Sequence, residues 1–286
     1  MPTRLLQRNA KSHKGHFGHL FAIAGSARFS GAAALCAEAG LRCGAGLVTL
    51  GIPKSLNSSL IKIKPLEVMT LPLQETPDKS LSLSALKRIK GFVKKGLILV
   101  IGPGLGRNGS TQQLVRRMIS EIRSPMVIDA DGLNALVGHL ELLRNNETTK
   151  KRETVLTPHP GEMSRLTGAS TKAVAKNRRK AAKKLARDYR VTVVLKGHNT
   201  VVADCRGNLY VNKTGNPGMA KGGSGDVLAG MIGAFLGQGL KAFAAAKYAV
   251  YLHGLAGDLA AKKKTQVGMI ATDIIKEIPA AIRKCS

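Results

Sequence analysis

Tryptophan is absent from this chain, and aromatic residues make up only 3% of it. A protein that reads single-stranded nucleic acid by stacking bases on rings needs more of them. Acidic residues are also scarce: 17 Asp and Glu stand against 45 Lys and Arg. No pair among Cys36, Cys43, Cys205 and Cys285 has CxxC spacing, and no histidine sits at zinc-ligand spacing from them. Reduced thiols in a cytoplasmic protein are the simplest account. The N-terminal stretch MPTRLLQRNAKSHKGH lacks the apolar run of a signal peptide. The most apolar helical stretch, Val227 to Leu240, is too short to span a bilayer and suits a buried helix. No low-complexity linker and no internal repeat interrupts the chain. One domain over residues 1–286 is therefore expected.

What the chain has is glycine, 32 residues of it, and a net charge of +28 over 286 residues. Such a charge draws anions, whether an anionic substrate or a nucleic acid. It is also compatible with surface chemistry alone. The densest basic stretch, Lys172 to Arg190, carries Val174, Ala182, Leu185 and Tyr189 at helical spacing. It reads as one amphipathic helix with a solvated basic face.

Short apolar runs alternate with helical patterns. Strands are expected at 19–24, 47–50, 97–101, 126–129, 154–156, 191–195, 200–204 and 209–211. Most are continuously apolar, as strands buried on both faces are. Helices are expected at 30–43, 111–122, 132–138, 172–189, 225–237 and 241–262. The alternation predicts an α/β fold with a mostly parallel sheet and helices on both faces. A turn at Asp204 to Asn208 adds a small antiparallel edge. Residues 62–90, with three prolines, are weakly patterned and hold a strand, loops and a helix start.

In such a sheet, ligands bind outside the carboxyl ends of the strands. The segment NPGMAKGGSGD places Gly222, Gly223, Ser224 and Gly225 directly before a helix. Small residues let the backbone approach a ligand, and the free N–H groups of a first helical turn attract an anion. Asp226 lies in that turn, where it serves either as general base or as a cap. The turn IGPGLG, with Gly102, Gly104 and Gly106, matches neither the P-loop nor GxGxxG spacing. It reads as a flat ligand-facing turn or a structural one. Asp129 and Asp131 leave a strand end, where carboxylates hold Mg²⁺ through water or organise a helix start with Asn134. His159, between two prolines, is stiffly placed to touch a substrate, and Glu162 after it is placed to bind a metal-bound water or the helix start. Lys196 offers a point charge to a phosphate, with Gly197, His198, Asn199 and Thr200 after it. The His-rich stretch SHKGHFGH is read as a loop covering the substrate, and Ala45, between two glycines, lets a flat ring pack closely.

Taken in order, HKGHFGHLFAIAGS, SGAAALCAEAGLRCGAGLVTL, IGPGLG, VIDADGLNAL, LTPHPGEMSRLTG, VLKGHNT, GNPGMAKGGSGDVLAG and IATDIIKEIP resemble the NAD(P)H-hydrate dehydratase family. The set runs from residue 11 to about residue 280. The resemblance implies a ribokinase-like fold. It also implies ADP-dependent dehydration of the (6S)-hydrates of NADH and NADPH, giving AMP and phosphate with Mg²⁺. By resemblance, Asp226 is the base. Ala45, Gly104 or Gly106, and His159 contact the hydrate, as Asp226 also does. Lys196 to Thr200 and Gly225 contact the nucleotide. A homo-oligomer, typically a tetramer, is implied. No fused epimerase domain is expected, so epimerisation would fall to a separate epimerase. Lys221 stands where many relatives carry Thr. Two other functions compete: a ribokinase-like kinase of a vitamin-precursor alcohol, and a nucleic-acid-binding protein supported by charge alone.

Overall fold

The computed structural model describes residues 8–144 and 152–285. Its centre is a nine-stranded sheet ordered β3-β2-β1-β4-β5-β6-β7-β8-β9. The strands are β1 (His19–Ile23), β2 (Leu47–Pro53), β3 (Met69–Leu73), β4 (Leu97–Ile101), β5 (Met126–Ile128), β6 (Thr154–Leu156), β7 (Thr192–Leu195), β8 (Val201–Ala203) and β9 (Leu209–Val211). All pairs from β3 across to β7 are parallel, while β7–β8 and β8–β9 are antiparallel. The expected hairpin is present: Asp204 Oδ1 accepts from the backbone N–H groups of Arg206 and Asn208.

Continuous apolar strands arise because both faces are covered. In β1, Leu20 and Ala22 face one core and Phe21 and Ile23 the other. The first core is closed by α1 (Ser30–Arg42), α7 (Ser224–Gly237), α8 (Ala242–Gly268) and α9 (Ala271–Arg283). The second is closed by α2 (Leu86–Phe92), α3 (Gly109–Glu121), α4 (Pro160–Thr167), α5 (Thr171–Lys176) and α6 (Arg178–Tyr189). Small residues let the layers approach closely. A side chain at Gly230 in α7 would strike the Cys36 carbonyl of α1.

Two expectations are revised. The basic stretch is two helices, broken at Asn177, whose φ of −129° is not helical. The 132–138 segment shrinks to the helical turn Asp131–Asn134.

The parallel strands all deliver their carboxyl ends to one edge. The order reverses between β1 and β4, and a crevice opens at such a switch point. There the Gly25 N–H donates to the Pro103 carbonyl at 2.8 Å. The opposite edge holds the amino ends of the strands.

Candidate active site

Five segments leave the carboxyl edge: Gly25-Ser26, Gly102 to Gly106, Asp129 to Asp131, Thr157 to Glu162, and Lys196 to Thr200. The N-terminus of α7 meets them. A Cβ placed on Gly225 would lie 3.3 Å from Lys196 Nζ and 3.9 Å from Asp129 Oδ2.

α7 opens on Gly223, whose φ of +90° suits glycine, and among the described residues no side chain caps it. Among the described residues, the N–H groups of Gly225 and Asp226 have no acceptor. Together with the dipole of a 14-residue helix they form an anion-binding cradle. Asp226 sits in this first turn. Burial, then the charge of Asp129, pushes its carboxyl up to about 7. A carboxyl near neutrality suits proton transfer at physiological pH.

Lys196 is the cation of the site. Its Nζ donates to Asp129 Oδ1 at 2.7 Å and lies 3.7 Å from Glu162 Oε2. Burial opposes the ammonium form, but Asp129, Glu162 and Asp226 outweigh it and raise the Lys196 pKa. Lys196 is thus a part-buried member of a charge network, not an exposed turn lysine. Asp129 is also held by Thr157 Oγ1 at 2.7 Å, yet its Oδ2 is buried without a partner among the described residues.

His159 caps α4. Its Nδ1 accepts from the N–H groups of Gly161 and Glu162, so the neutral ring carries its proton on Nε2. Glu162 returns the bond, accepting from the His159 N–H at 2.7 Å. Burial lowers the His159 pKa. Nε2 stays half-exposed at the edge, 3.5 Å from Glu162 Oε1.

The glycine turn is built by packing. A side chain on Gly102 would strike the Asp129 carbonyl, and one on Gly104 would lie 2.6 Å from the Phe29 carbonyl. The Gly106 N–H is taken by Asp131 Oδ2 at 2.9 Å. Asn134 Nδ2 donates to the other oxygen, so Asp131 organises the helical turn. Lys221 donates to the carbonyls of Val267 and Met269, the latter at 2.7 Å. It secures the end of α8 instead of entering the anion cradle.

Asp129, His159, Glu162, Lys196 to Thr200 and Gly222 to Asp226 therefore share one edge with the glycine turn. Ala45 and the His-rich stretch do not. The stretch precedes β1, and Ala45 precedes β2. Gly18 packs on Gly237 at the far end of α7, about 16 Å from Asp226 at the 1.5 Å rise of a helix. Within this chain the His-rich stretch cannot cover the Asp226 pocket.

Sequence reasoning missed three supports. Arg178 holds carbonyls of the Lys196–His198 segment. Asp258 of α8 accepts from the Gly215 N–H and from Asn216 Nδ2, pinning the loop that leads to α7. His253 Nε2 lies 3.4 Å from Ser224 Oγ, and burial pushes its pKa down to about 4. A signal for α8 was present. Gly254 and Gly257 weaken a helix interior, which points to a close approach there. Thr214 and Met219 occupy those two positions.

The family described as NAD(P)H-hydrate dehydratase matches residues 20–280. The bifunctional NAD(P)H-hydrate repair enzyme of Moorella thermoacetica is 42% identical over 98% of this chain and 52% of its own length. The chain thus spans about half the length of such bifunctional relatives. The ADP-dependent (S)-NAD(P)H-hydrate dehydratase of Neisseria meningitidis is 37% identical, covering 96% of this chain and 87% of its own. Among solved structures, the ADP/ATP-dependent NAD(P)H-hydrate dehydratase of Bacillus subtilis, co-crystallized with ATP and Mg²⁺, superposes with a TM-score of 0.82. It has 31% identity and covers 99% of this chain and 95% of its own.

Proposed function

The chain belongs to the NAD(P)H-hydrate dehydratase family, and from that premise we propose that it converts the (6S)-hydrates of NADH and NADPH back to the parent dinucleotides, consuming ADP and releasing AMP and phosphate. The observation that carries this reading is Asp226. A carboxyl pushed up to about 7 sits on a helix N-terminus with no side-chain cap among the described residues, beside N–H groups free to bind an anion.

Hydroxide is a poor leaving group, and phosphate is a good one. The substrate hydroxyl is therefore phosphorylated first. Asp226 accepts the hydroxyl proton as the oxygen bonds to the β-phosphorus and the bond to AMP breaks. The N–H groups of Gly225 and Asp226 stabilise charge on the moving phosphoryl group. Phosphate then leaves with the carbon–oxygen bond pair. The neighbouring ring carbon gives up a proton, and the double bond of the dihydronicotinamide is restored. Lys196 to Thr200 and Gly225 hold the nucleotide. His159 Nε2–H and the Gly104–Gly106 turn bound the hydrate.

Mg²⁺ keeps few protein ligands and rides on phosphates. The site fits such an ion through the partnerless Asp129 Oδ2 and through Glu162, by way of water. Bound there, it supplies neutralisation of the phosphoryl charge. Supply of the S form by an epimerase and assembly as a homo-oligomer belong to the same proposal. No helix among the described residues is long and apolar enough to cross a membrane.

The test is near-ultraviolet absorbance of dihydronicotinamide after mixing the protein with NADPH hydrate, Mg²⁺ and ADP. A rise that requires ADP, with AMP and phosphate formed in equal amounts, is expected. No rise with ADP or ATP, together with a phosphorylated vitamin-precursor alcohol accumulating from that alcohol, would replace dehydration with a kinase reaction.

A further inference from the structure

Arg178 opens α6, immediately after the break at Asn177. Its guanidinium lies beneath the segment that follows β7. Nη2 donates to the Leu195 carbonyl at 2.8 Å and the Lys196 carbonyl at 3.0 Å, and Nη1 donates to the His198 carbonyl. A Cβ on Gly197 would lie 3.2 Å from Nη2, so the loop rests directly on the guanidinium. Burial lowers the Arg178 pKa, and no carboxylate among the described residues offsets it. A half-buried cation without an anion is costly. Its planar fork is spent on backbone oxygens.

That fork has a consequence for the other side of the loop. In a planar trans peptide, the N–H points opposite to the carbonyl of the preceding residue. The carbonyls of Lys196 and His198 point at Arg178. The N–H groups of Gly197 and Asn199 therefore point away from it. Positive φ at both residues, 131° for Gly197 and 54° for Asn199, permits the arrangement. Thr200 Oγ1 closes the turn on the Gly197 carbonyl at 2.9 Å. Among the described residues, neither outward N–H has an acceptor. Successive N–H groups turned the same way form a concavity that takes an anion or another acceptor.

We propose that Arg178 is a positioning residue for the nucleotide: by drawing three carbonyls onto its guanidinium, it turns the Gly197 and Asn199 N–H groups toward acceptor atoms of a nucleoside diphosphate. The proposal rests on the reading that this segment binds ADP, and the experiment separates the two. First, amide hydrogen exchange is measured on the wild-type protein with and without ADP. Slowed exchange at Gly197 and Asn199 is expected; unchanged exchange at both sinks the nucleotide-loop reading and this proposal with it. Second, Arg178→Gln is assayed for KM of ADP, KM of the hydrate and kcat. Loss of hydrogen bonds to a charged group predicts a rise of about tenfold or more in KM for ADP, with the hydrate KM unmoved. Free guanidinium ion at millimolar concentration should restore the ADP KM of Arg178→Ala.

If ADP slows exchange in the wild type while Arg178→Gln keeps the wild-type KM for ADP, the nucleotide loop stands and the role of Arg178 falls. An equal loss in both KM values and kcat also overturns it, because that is a merely structural effect. Should Arg178→Gln fail to fold, Arg178→Lys is judged by the same split.

Discussion

His13 and His159 are chemical twins at opposite edges of the sheet. Each caps a helical segment with Nδ1, accepting from the N–H of a glycine two residues on, at 3.2 Å for Gly15 and 3.0 Å for Gly161. Each is answered by the residue three positions later. His16 Nδ1 accepts from the His13 N–H at 3.3 Å, and Glu162 Oε2 from the His159 N–H at 2.7 Å. The difference is where the strands put them. His13 precedes β1 and stacks on His16, with ring centroids 3.7 Å apart. His159 follows β6 and joins the network of Glu162, Lys196 and Asp129. Local sequence dictated the same cap twice, and sheet direction alone decided which cap meets the chemistry.

The largest effect that sharpens this contrast is expected at the carboxyl edge. Asp226→Asn removes the base but keeps the shape, and kcat should fall by about a thousandfold, within the range for general-base catalysis. His13→Ala, at the other edge, should leave steady-state rates within about twofold of wild type, while costing about 1 kcal/mol as a lost cap. If His13→Ala abolishes turnover in a protein that melts normally, the two edges are not functionally distinct. The next effect is His159→Ala. It loses a similar cap and should lower kcat/KM for the hydrate by about tenfold through the missing Nε2–H bond. Equal kinetics for the His13 and His159 variants would break the comparison.

The pH profile tests the edge as a unit. Since the Asp226 carboxyl is pushed up to about 7, kcat/KM should rise as pH passes through that value. Stability should move the other way. The folded state holds this proton above the unfolded value of 3.8, so stability falls from there to about pH 7 and is then flat. Asp226→Asn should therefore melt higher than wild type at pH 8 and no higher at pH 4. Melting curves of both proteins across that range check it. A Tm gap that does not grow with pH would mean that Asp226 is solvated.

Much of this was readable in the sequence because its signal was local. β4, β6 and β9 fall on the expected residues, since an apolar run bounded by glycine or proline turns leaves little choice. β3 was hidden by Pro72, which is tolerated because β3 is an edge strand. The His-rich stretch was read as a loop covering the substrate, yet it lies at the amino edge, because spacing says nothing about strand direction. Arg178 was read as part of a solvated face, because its partners are carbonyls contributed by residues 17–20 positions away. Asp129 and Lys196 were both suspected, but not as partners. Their 67-residue separation closes only when β5 and β7 flank β6 in the sheet.

The smallest expected effect concerns His253. It is buried in α8, with Nε2 facing Ser224 Oγ at the first turn of α7. Burial pushes its pKa down to about 4, so it is neutral around pH 7. His253→Gln keeps a polar side chain near Ser224 and should lower kcat by about threefold, the worth of one neutral hydrogen bond. The shape of the pH–rate profile should not change, because His253 does not titrate there. Its stability signature has the opposite sign to that of Asp226. The unfolded chain binds the His253 proton first, so the wild type loses stability as pH falls from 6.5 toward 4. The glutamine variant should lose less over the same interval. Asp226 in the first turn of α7 and His253 of α8, packed against that turn, thus pull stability in opposite directions with pH. A His253→Gln protein with a shifted kinetic pKa would show instead that His253 exchanges protons with the site.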